Sequence, residues 1–359
     1  MQSRIFRTAL LALAGAVSGL AGPVYLPVVL SSTGGTVNGI PVNANHAYGY
    51  AALAPGGNVV FASQFLDGPG NHIFTVINGV ITTADPLGSG AGVSYFDAFI
   101  NGSGQIAYSS IYGGAYIGGT LAASGHTHVL GFNDSGTMLW SKTDNDGRDS
   151  LYEQSGLVVP AGNVNSAAEL DGSGGVLYIT TDGTNRLLSG SGNVVVGPGS
   201  TIGGTAVVGV APSFGFNRFA LSANGNLAVY ALDPSFNATI VTTLGQRITN
   251  PGAISGLDIN DNGTFAVSGN LISTQYGPVV RVGDVIDGKT LNTASAAGPH
   301  FLDNNGDILA SVAFGDGSGA LVLFKNTSTP EPSSWALLAG AAAVWVGWCR
   351  KALVPRQET

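Results

Sequence analysis

Along this chain short apolar runs alternate with clusters of Gly, Asn, Asp and Ser, and one such junction recurs. Its clearest copy is Leu302-Asp303-Asn304-Asn305-Gly306-Asp307-Ile308-Leu309-Ala310. In register on the glycine, the others are Ala54 to Phe61, Asn101 to Tyr108, Asn133 to Trp140, Asp171 to Tyr178, Ser222 to Val229 and Asn260 to Val267. Each starts on a small, usually polar residue, reaches Gly three positions later, and ends in a small or aliphatic residue usually followed by an aromatic or Val. The pattern predicts a hairpin. An apolar strand such as Phe96 to Ile100 enters, Asn or Asp starts a tight turn, Gly takes the positive-φ position, and Ile106-Ala107-Tyr108 leaves.

The seven turn glycines, Gly57, Gly104, Gly136, Gly174, Gly225, Gly263 and Gly306, lie 32 to 51 residues apart with a mean near 41. Between them sits a second pair of short apolar runs. Examples are Ile73 to Ile77 with Val80 to Thr83, Leu151 to Gln154 with Leu157 to Val159, and Thr239 to Leu244 with Gln246 to Thr249. Four strands in about 40 residues point to a β-propeller blade, since solenoids repeat at shorter periods and sandwiches do not repeat. The fold class expected is therefore all-β, a seven-bladed β-propeller of four-stranded blades, with some other closed or stacked β array as the alternative. The last repeat runs out early: after Ile308 to Val312 only Leu321 to Phe324 remains. The segment Pro27 to Asn43 looks like the tail of a repeat, for Val28 to Gly39 parallels Val194 to Thr205. Val28 to Leu30 is expected to pair beside Leu321 to Phe324, closing the ring and removing the edges an open array would expose.

Composition agrees. Only 9% of the 359 residues are charged, 44% are hydrophobic and 55 are Gly, which suits many short strands and tight turns. The net charge is −8. Setting aside the five basic and two acidic residues near the ends leaves 8 basic and 19 acidic between Gly22 and Thr329, a charge of −11. A field of that sign repels phosphate backbones, so no nucleic acid partner is expected. The single cysteine, Cys349, has nothing in its own chain to pair with.

The two ends differ from the middle. Residues 1–21 carry Arg4 and Arg7, an apolar run from Ala9 to Leu20 and small residues at Gly19-Leu20-Ala21-Gly22, the pattern of a secretory signal peptide cut after Ala21. Residues 22–326 hold the repeats, and 327–334 form a linker containing Pro330-Glu331-Pro332. Residues 335–349 are an unbroken apolar and small-residue stretch, and 350–359 a basic tail with Arg350, Lys351 and Arg356. Proline at the helix start and basic residues at its end predict a single transmembrane helix with a cytoplasmic C-terminus, although 15 residues is short of the ~20 that span comfortably.

Pro330, Glu331 and Pro332, the short apolar helix and the basic tail together resemble the PEP-CTERM sorting signal of Gram-negative bacteria. The hairpins are also similar to the tandem N-x-x-G-x-x-A-F repeats of PEP-CTERM proteins. Asn101, Gly104, Ala107 and Tyr108 match closely, as do Asn260, Gly263 and Ala266. The Asn position is instead Asp at Asp171 and Asp303, Ser at Ser222 and Ala at Ala54, and Val or Ala replaces the aromatic in the last three copies. The resemblance implies processing by the membrane protease exosortase. It further implies passage through the inner membrane by way of the C-terminal helix, and a destination at the cell surface or in the matrix among exopolysaccharide. It carries over no catalytic residue.

Several local motifs bear on chemistry. Gly283-Asp284-Val285-Ile286-Asp287-Gly288-Lys289-Thr290 satisfies the P-loop pattern, but no helix is expected after it and two acids lie inside it, so an outer-strand turn is expected. Asp144, Asp146 and Asp149 place oxygen ligands as calcium requires, but the downstream Glu of a hand-type site is missing and Arg148 occupies a would-be ligand position, so a bare hairpin turn before Leu151-Tyr152 is expected, with calcium the one candidate cofactor. His126 and His128 would share a strand face, a geometry zinc can use, but His46, His72 and His300 are scattered and supply no third ligand. No nucleophile motif occurs. Asp97, Asp171 and Asp258 recur on or beside the hairpins, where turn chemistry is the simpler account. Tyr95, Phe99, Trp140, Tyr178 and Phe265 are expected in the core between blades. The function expected is a non-catalytic binding or matrix-structural role. The alternative is a propeller hydrolase or lyase acting on polysaccharide through carboxylates at the central axis.

Overall fold

A computed structural model of the chain describes residues 23–41, 51–64, 71–87, 95–110, 113–144, 149–161, 167–181, 186–190, 193–212 and 218–327. Leu26–Asn326 form one compact unit, in which every regular element is a β-strand. Among the described residues the strands group into seven antiparallel sheets of four or five strands, each holding a hairpin the repeat predicts, and two separate two-stranded hairpins. Their innermost strands are Ala51–Leu53, Tyr95–Ile100, Thr127–Phe132, Ala168–Leu170, Phe219–Leu221, Gly256–Ile259 and Lys289–Ala296. This is a seven-bladed β-propeller, with blades numbered 1 to 7 in that order.

Blade 1 shows the plan. Ala51–Leu53 pairs with Val59–Gln64, which pairs with Asn71–Ile77 and then Val80–Thr83, whose turn uses Asn78 at φ 52° and Gly79 at φ 78°. Two blades depart from it. In blade 5, Gly209–Val210 and Phe219–Leu221 both pair with Leu227–Leu232. In blade 7, Lys289–Ala296 is continued by a single bridge from Leu302 to Ile308. Its outermost strand is Tyr25–Ser32, beside Gly319–Asn326, where the Thr33 amide donates to the Gly319 carbonyl at 2.9 Å. The closure expected from the short last repeat is the one observed.

The parallel between Val28 to Gly39 and Val194 to Thr205 also has a structural meaning. Each segment leaves an outermost strand and forms a small hairpin, Thr36–Val37 with Ile40–Pro41 and Ser200–Ile202 with Thr205–Val207. The P-loop-like stretch is a third such hairpin, turning through Asp287 and Gly288 at φ 50° and 76°. It leads into the innermost strand of blade 7 instead of forming an outer-strand turn. Its Lys289 is held within the blade, donating to Ser318 Oγ at 2.7 Å with Asp316 at 3.5 Å.

The core lies between neighbouring sheets. Tyr95, Phe99, Trp140, Tyr178 and Phe265 are all buried there, as expected. One cluster runs from Val60 and Ile73 of blade 1 through Tyr108 of blade 2 to Met138 and Trp140 of blade 3. A second joins Ile179 and Leu188 of blade 4 to Phe219 and Val229 of blade 5 through Ile202 and Val207 of the intervening hairpin. The expected signal peptide, Pro330-Glu331-Pro332, the apolar stretch and the basic tail lie outside the described residues. Among the described residues, no helix is long and apolar enough to cross a membrane.

Candidate functional site at the propeller axis

The seven repeated turns lie at one end of the innermost strands, and their glycines take φ values from 77° to 89°. The residue just before each turn is always large and apolar: Leu53, Ile100, Phe132, Leu170, Leu221, Ile259 and Leu302. All seven are buried, and all seven line one cavity together with the first turn residues Ala54, Asn133, Ser222 and Asn260. Because seven blades contribute the same register position, these side chains form an apolar ring around the axis. The space left is about 70 Å³. That accommodates a few water molecules, whereas small-molecule sites run to roughly 300–1,000 Å³.

Hydrogen bonds tie each turn to the next. Where Asn opens the turn its amide works in both directions. Asn133 Oδ1 accepts the Thr137 amide of its own turn at 2.9 Å, while Nδ2 donates to the Asp171 carbonyl of blade 4 at 3.0 Å. Asn101 Nδ2 reaches the Asn133 carbonyl at 3.4 Å, and Asn260 Nδ2 the Asp303 carbonyl at 2.8 Å. Where the first residue is Ala54 or Ser222, an Asn four positions later takes over the donation: Asn58 to Gly102 at 3.0 Å, and Asn226 to Asp261 at 3.0 Å. Asp171 and Asp303 have no donor to offer. There the backbone amide of the following residue substitutes, Gly172 to Ala223 at 2.9 Å and Asn304 to Pro55 at 3.0 Å. The bonds complete a circuit of seven joints.

One step further into the strands lie two buried carboxyls. Glu169 of blade 4 accepts the Leu221 amide of blade 5 on Oε2 at 2.6 Å, while Oε1 has no hydrogen-bond partner. Burial, and then the neighbouring charge of Asp258, push Glu169 well above the usual carboxyl range, against the Leu221 amide. Asp258 of blade 6 accepts the Phe301 and Leu302 amides of blade 7 on Oδ2, at 2.7 and 2.8 Å, and the Ile259 amide on Oδ1. Burial raises it to about 7, with those three amides opposing. His300 Nδ1 lies 4.0 Å from Asp258 Oδ1, with its ring edge-on to Phe99; burial lowers its pKa to about 4, leaving the imidazole neutral at pH 7. Asp258 is thus not a turn residue, contrary to the expectation, but a bridge between inner strands. Asp171 does open its turn, accepting the Ser173 and Gly175 amides.

Asp97 also departs from turn chemistry. It sits at φ 48° where the first strand of blade 2 slips register, and its Oδ2 lies 2.8 Å from His128 Nδ1 of blade 3. That bond is the main cause raising the pKa of His128. The His126 and His128 rings are 6.4 Å apart, His72 instead contacts Asp85, and His46 lies outside the described residues. Of the three candidate calcium ligands, Asp149 accepts Thr143 Oγ1 at 2.6 Å, Asp144 is exposed, and Asp146 lies outside the described residues. Among the described residues, no three His, Cys, Asp or Glu side chains gather as a metal site would require.

No protein-family profile matches the chain, and no curated protein sequence does. Several solved structures resemble it at the level of fold. BBS1N in complex with ARL6DN aligns with 86% of this chain and 99% of its own, at 12% identity and a TM-score of 0.41. The polysaccharide lyase Uly1 aligns with 85% of this chain and 97% of its own, at 10% identity and 0.41. A lectin from Aleuria aurantia aligns with 79% of this chain and 96% of its own, at 11% identity and 0.32. Likenesses so distant say nothing about activity, and the blade count rests on the strand pairing itself.

Proposed function

We propose that this chain is an exported, non-catalytic binding or structural protein, sorted to the cell surface or matrix and associated with polysaccharide. The observation that supports the non-catalytic half is the narrow axis. Seven apolar side chains converge there on about 70 Å³, too little for a sugar ring. The two buried acids that a propeller hydrolase or lyase would recruit, Glu169 and Asp258, already accept backbone amides of the next blade. Glycoside hydrolysis needs two carboxyls separated by room for the substrate and a water or nucleophile. The sorting half is supported by Pro330-Glu331-Pro332, the apolar stretch after it and the basic residues Arg350, Lys351 and Arg356.

Two measurements test the two halves. The full chain is incubated with matrix polysaccharides, with and without calcium, and both retention and polymer length are recorded. Retention without shortening is the expected result; shortening that disappears in Asp258→Asn would establish the enzyme instead. For sorting, replacing Pro330, Glu331 and Pro332 by Ala should trap the full-length chain in the inner membrane. Unchanged release would sink the exosortase assignment.

A further inference from the structure

Blade 5 carries a second use of the repeated turn, at the opposite end of its strands. Between Leu227–Leu232 and Ala238–Thr242 the chain reads Asp233-Pro234-Ser235-Phe236-Asn237. Its hydrogen bonds copy those of the axial turns. The Phe236 amide donates to the Asp233 carbonyl at 2.8 Å, and Asp233 Oδ1 accepts the Ser235 and Asn237 amides, both at 2.9 Å. In the seven axial turns the fourth position is Gly; here it is Phe236, at φ 62°. Among the described residues, every other positive-φ position is Gly, Asn or Asp, the residues that tolerate it.

The same residue is an outlier in a second respect. At 70% exposure Phe236 is the most exposed large hydrophobic side chain described. A bulky ring in a left-handed turn is strained, and burial does not offset that strain here. Strain that the fold does not need is a pointer to contact with something outside it. The chemistry around the ring narrows the partner. Asp233 is held below the usual carboxyl range, chiefly by the Asn237 backbone amide, and Arg247 Nη2 lies 3.6 Å from its Oδ2. The two charges offset each other, so the patch offers an ionic ligand no net attraction, and the surrounding acidic chain disfavours an anionic one. An exposed apolar ring in a turn that also carries a carboxylate, a hydroxyl and an amide, with a guanidinium beside that carboxylate, complements a neutral sugar, whose pyranose has an apolar C–H face and a hydroxyl rim.

We infer that Phe236 is the stacking contact of a surface site for a neutral polysaccharide, with Asp233, Ser235, Asn237 and Arg247 as its polar rim. The inference rests on the polysaccharide-binding function proposed above and adds its location. The test uses the full chain in affinity gel electrophoresis against soluble β-glucan, mannan, galactan and xylan. It compares the wild type with Phe236→Gly and Phe236→Trp. Glycine relieves the strain and keeps the turn, so folding is preserved while the ring is lost. The expected result is retardation by at least one polymer, at least tenfold weaker for Phe236→Gly and within about threefold of wild type for Phe236→Trp. Retardation of Phe236→Gly equal to wild type would overturn the site and leave polysaccharide binding standing elsewhere on the molecule. A wild type retarded by none of the four would overturn both.

Discussion

The joint between blades 6 and 7 and the joint between blades 4 and 5 share one backbone plan and differ in how many side chains cross them. At the first, Asn260 donates to the Asp303 carbonyl, Asn262 to the Asn304 carbonyl, and Asn304 and Asp261 bond to each other through amide, carboxylate and backbone. Asp258 adds two further bonds deeper in. At the second, Asp171 contributes no donor, one backbone bond joins the turns, and Glu169 makes a single bond with its other oxygen unpaired. A carboxylate only accepts, while an amide accepts from its own turn and donates to the next. Replacing Asn by Asp therefore keeps a hairpin and thins a joint, and the hairpin Ser200–Ile202 with Thr205–Val207 thickens the core where the joint is thin.

The largest effect expected is on pH dependence. Asp258 binds its proton up to about pH 7 in the fold, against an ordinary value of 3.8, so the folded chain holds more protons than the unfolded chain between those values. Stability then falls as pH rises through that window, on the order of 4 kcal/mol for a fully buried group. Glu169 acts in the same direction. Asp303, raised to about 6 mainly by burial, adds to the fall, while His300, neutral in the fold down to about 4, acts in the opposite direction between there and 6.5, so a net fall with rising pH remains. Melting curves should show a higher midpoint at pH 5 than at pH 8. Asp258→Asn should flatten that difference and His300→Gln should steepen it; a midpoint rising from pH 5 to 8 would refute the assignment.

Next in size, Asn260→Ala removes two part-buried bonds to its own turn and one buried bond to blade 7, and should cost about 2–3 kcal/mol in urea unfolding. Asn260→Asp loses only the donor and should cost less; equal costs would mean that the bonds within its own turn contribute nothing, and no cost at all for Asn260→Asp that the joint to blade 7 contributes nothing. At the other end of blade 5, Phe236→Gly should stabilise the chain by about 1 kcal/mol, since it gives the turn template the residue used at the axis. The smallest change would equip the thin joint like the thick one. Asp171→Asn should gain about 0.5 kcal/mol, read as a small rise in the urea midpoint. A loss there would show that the turns of blades 4 and 5 sit too close to admit the amide.

Much of this architecture was visible in the chain because the turn repeat is carried by Gly and Asn, residues whose backbone roles leave a mark in sequence. The closure by Tyr25–Ser32 was visible for the same reason, since a repeat lacking a strand and a strand lacking a repeat occur at opposite ends. The axial plug was present but unread: Leu53, Ile100, Phe132, Leu170, Leu221, Ile259 and Leu302 each directly precede a turn. Asn58 and Asn226, standing in for the donors that Ala54 and Ser222 lack, could not be read, because a hydrogen bond across 43 or 35 residues leaves no local pattern. Asp258 and Glu169 were hidden similarly, their bonds spanning 43 and 52 residues. Phe236 escaped because a motif anchored on glycine passes over the turn that lacks one.

Tyr25–Ser32 completes blade 7, and this places the last event of folding at the far end of synthesis. The strand is among the first to be made, yet the bond that fixes it, from Thr33 to Gly319, spans 286 residues. Until that partner exists, the early strand has only its own edge to offer, and blade 1 has no neighbour on one flank. Blades 1 to 6 can form in order through contacts local to each repeat, while the final contact is a long loop closure and correspondingly slow. A chain cut short before Gly319 would therefore remain an open arc with a sheet edge at each end, so that closure itself reports that the last blade has been delivered.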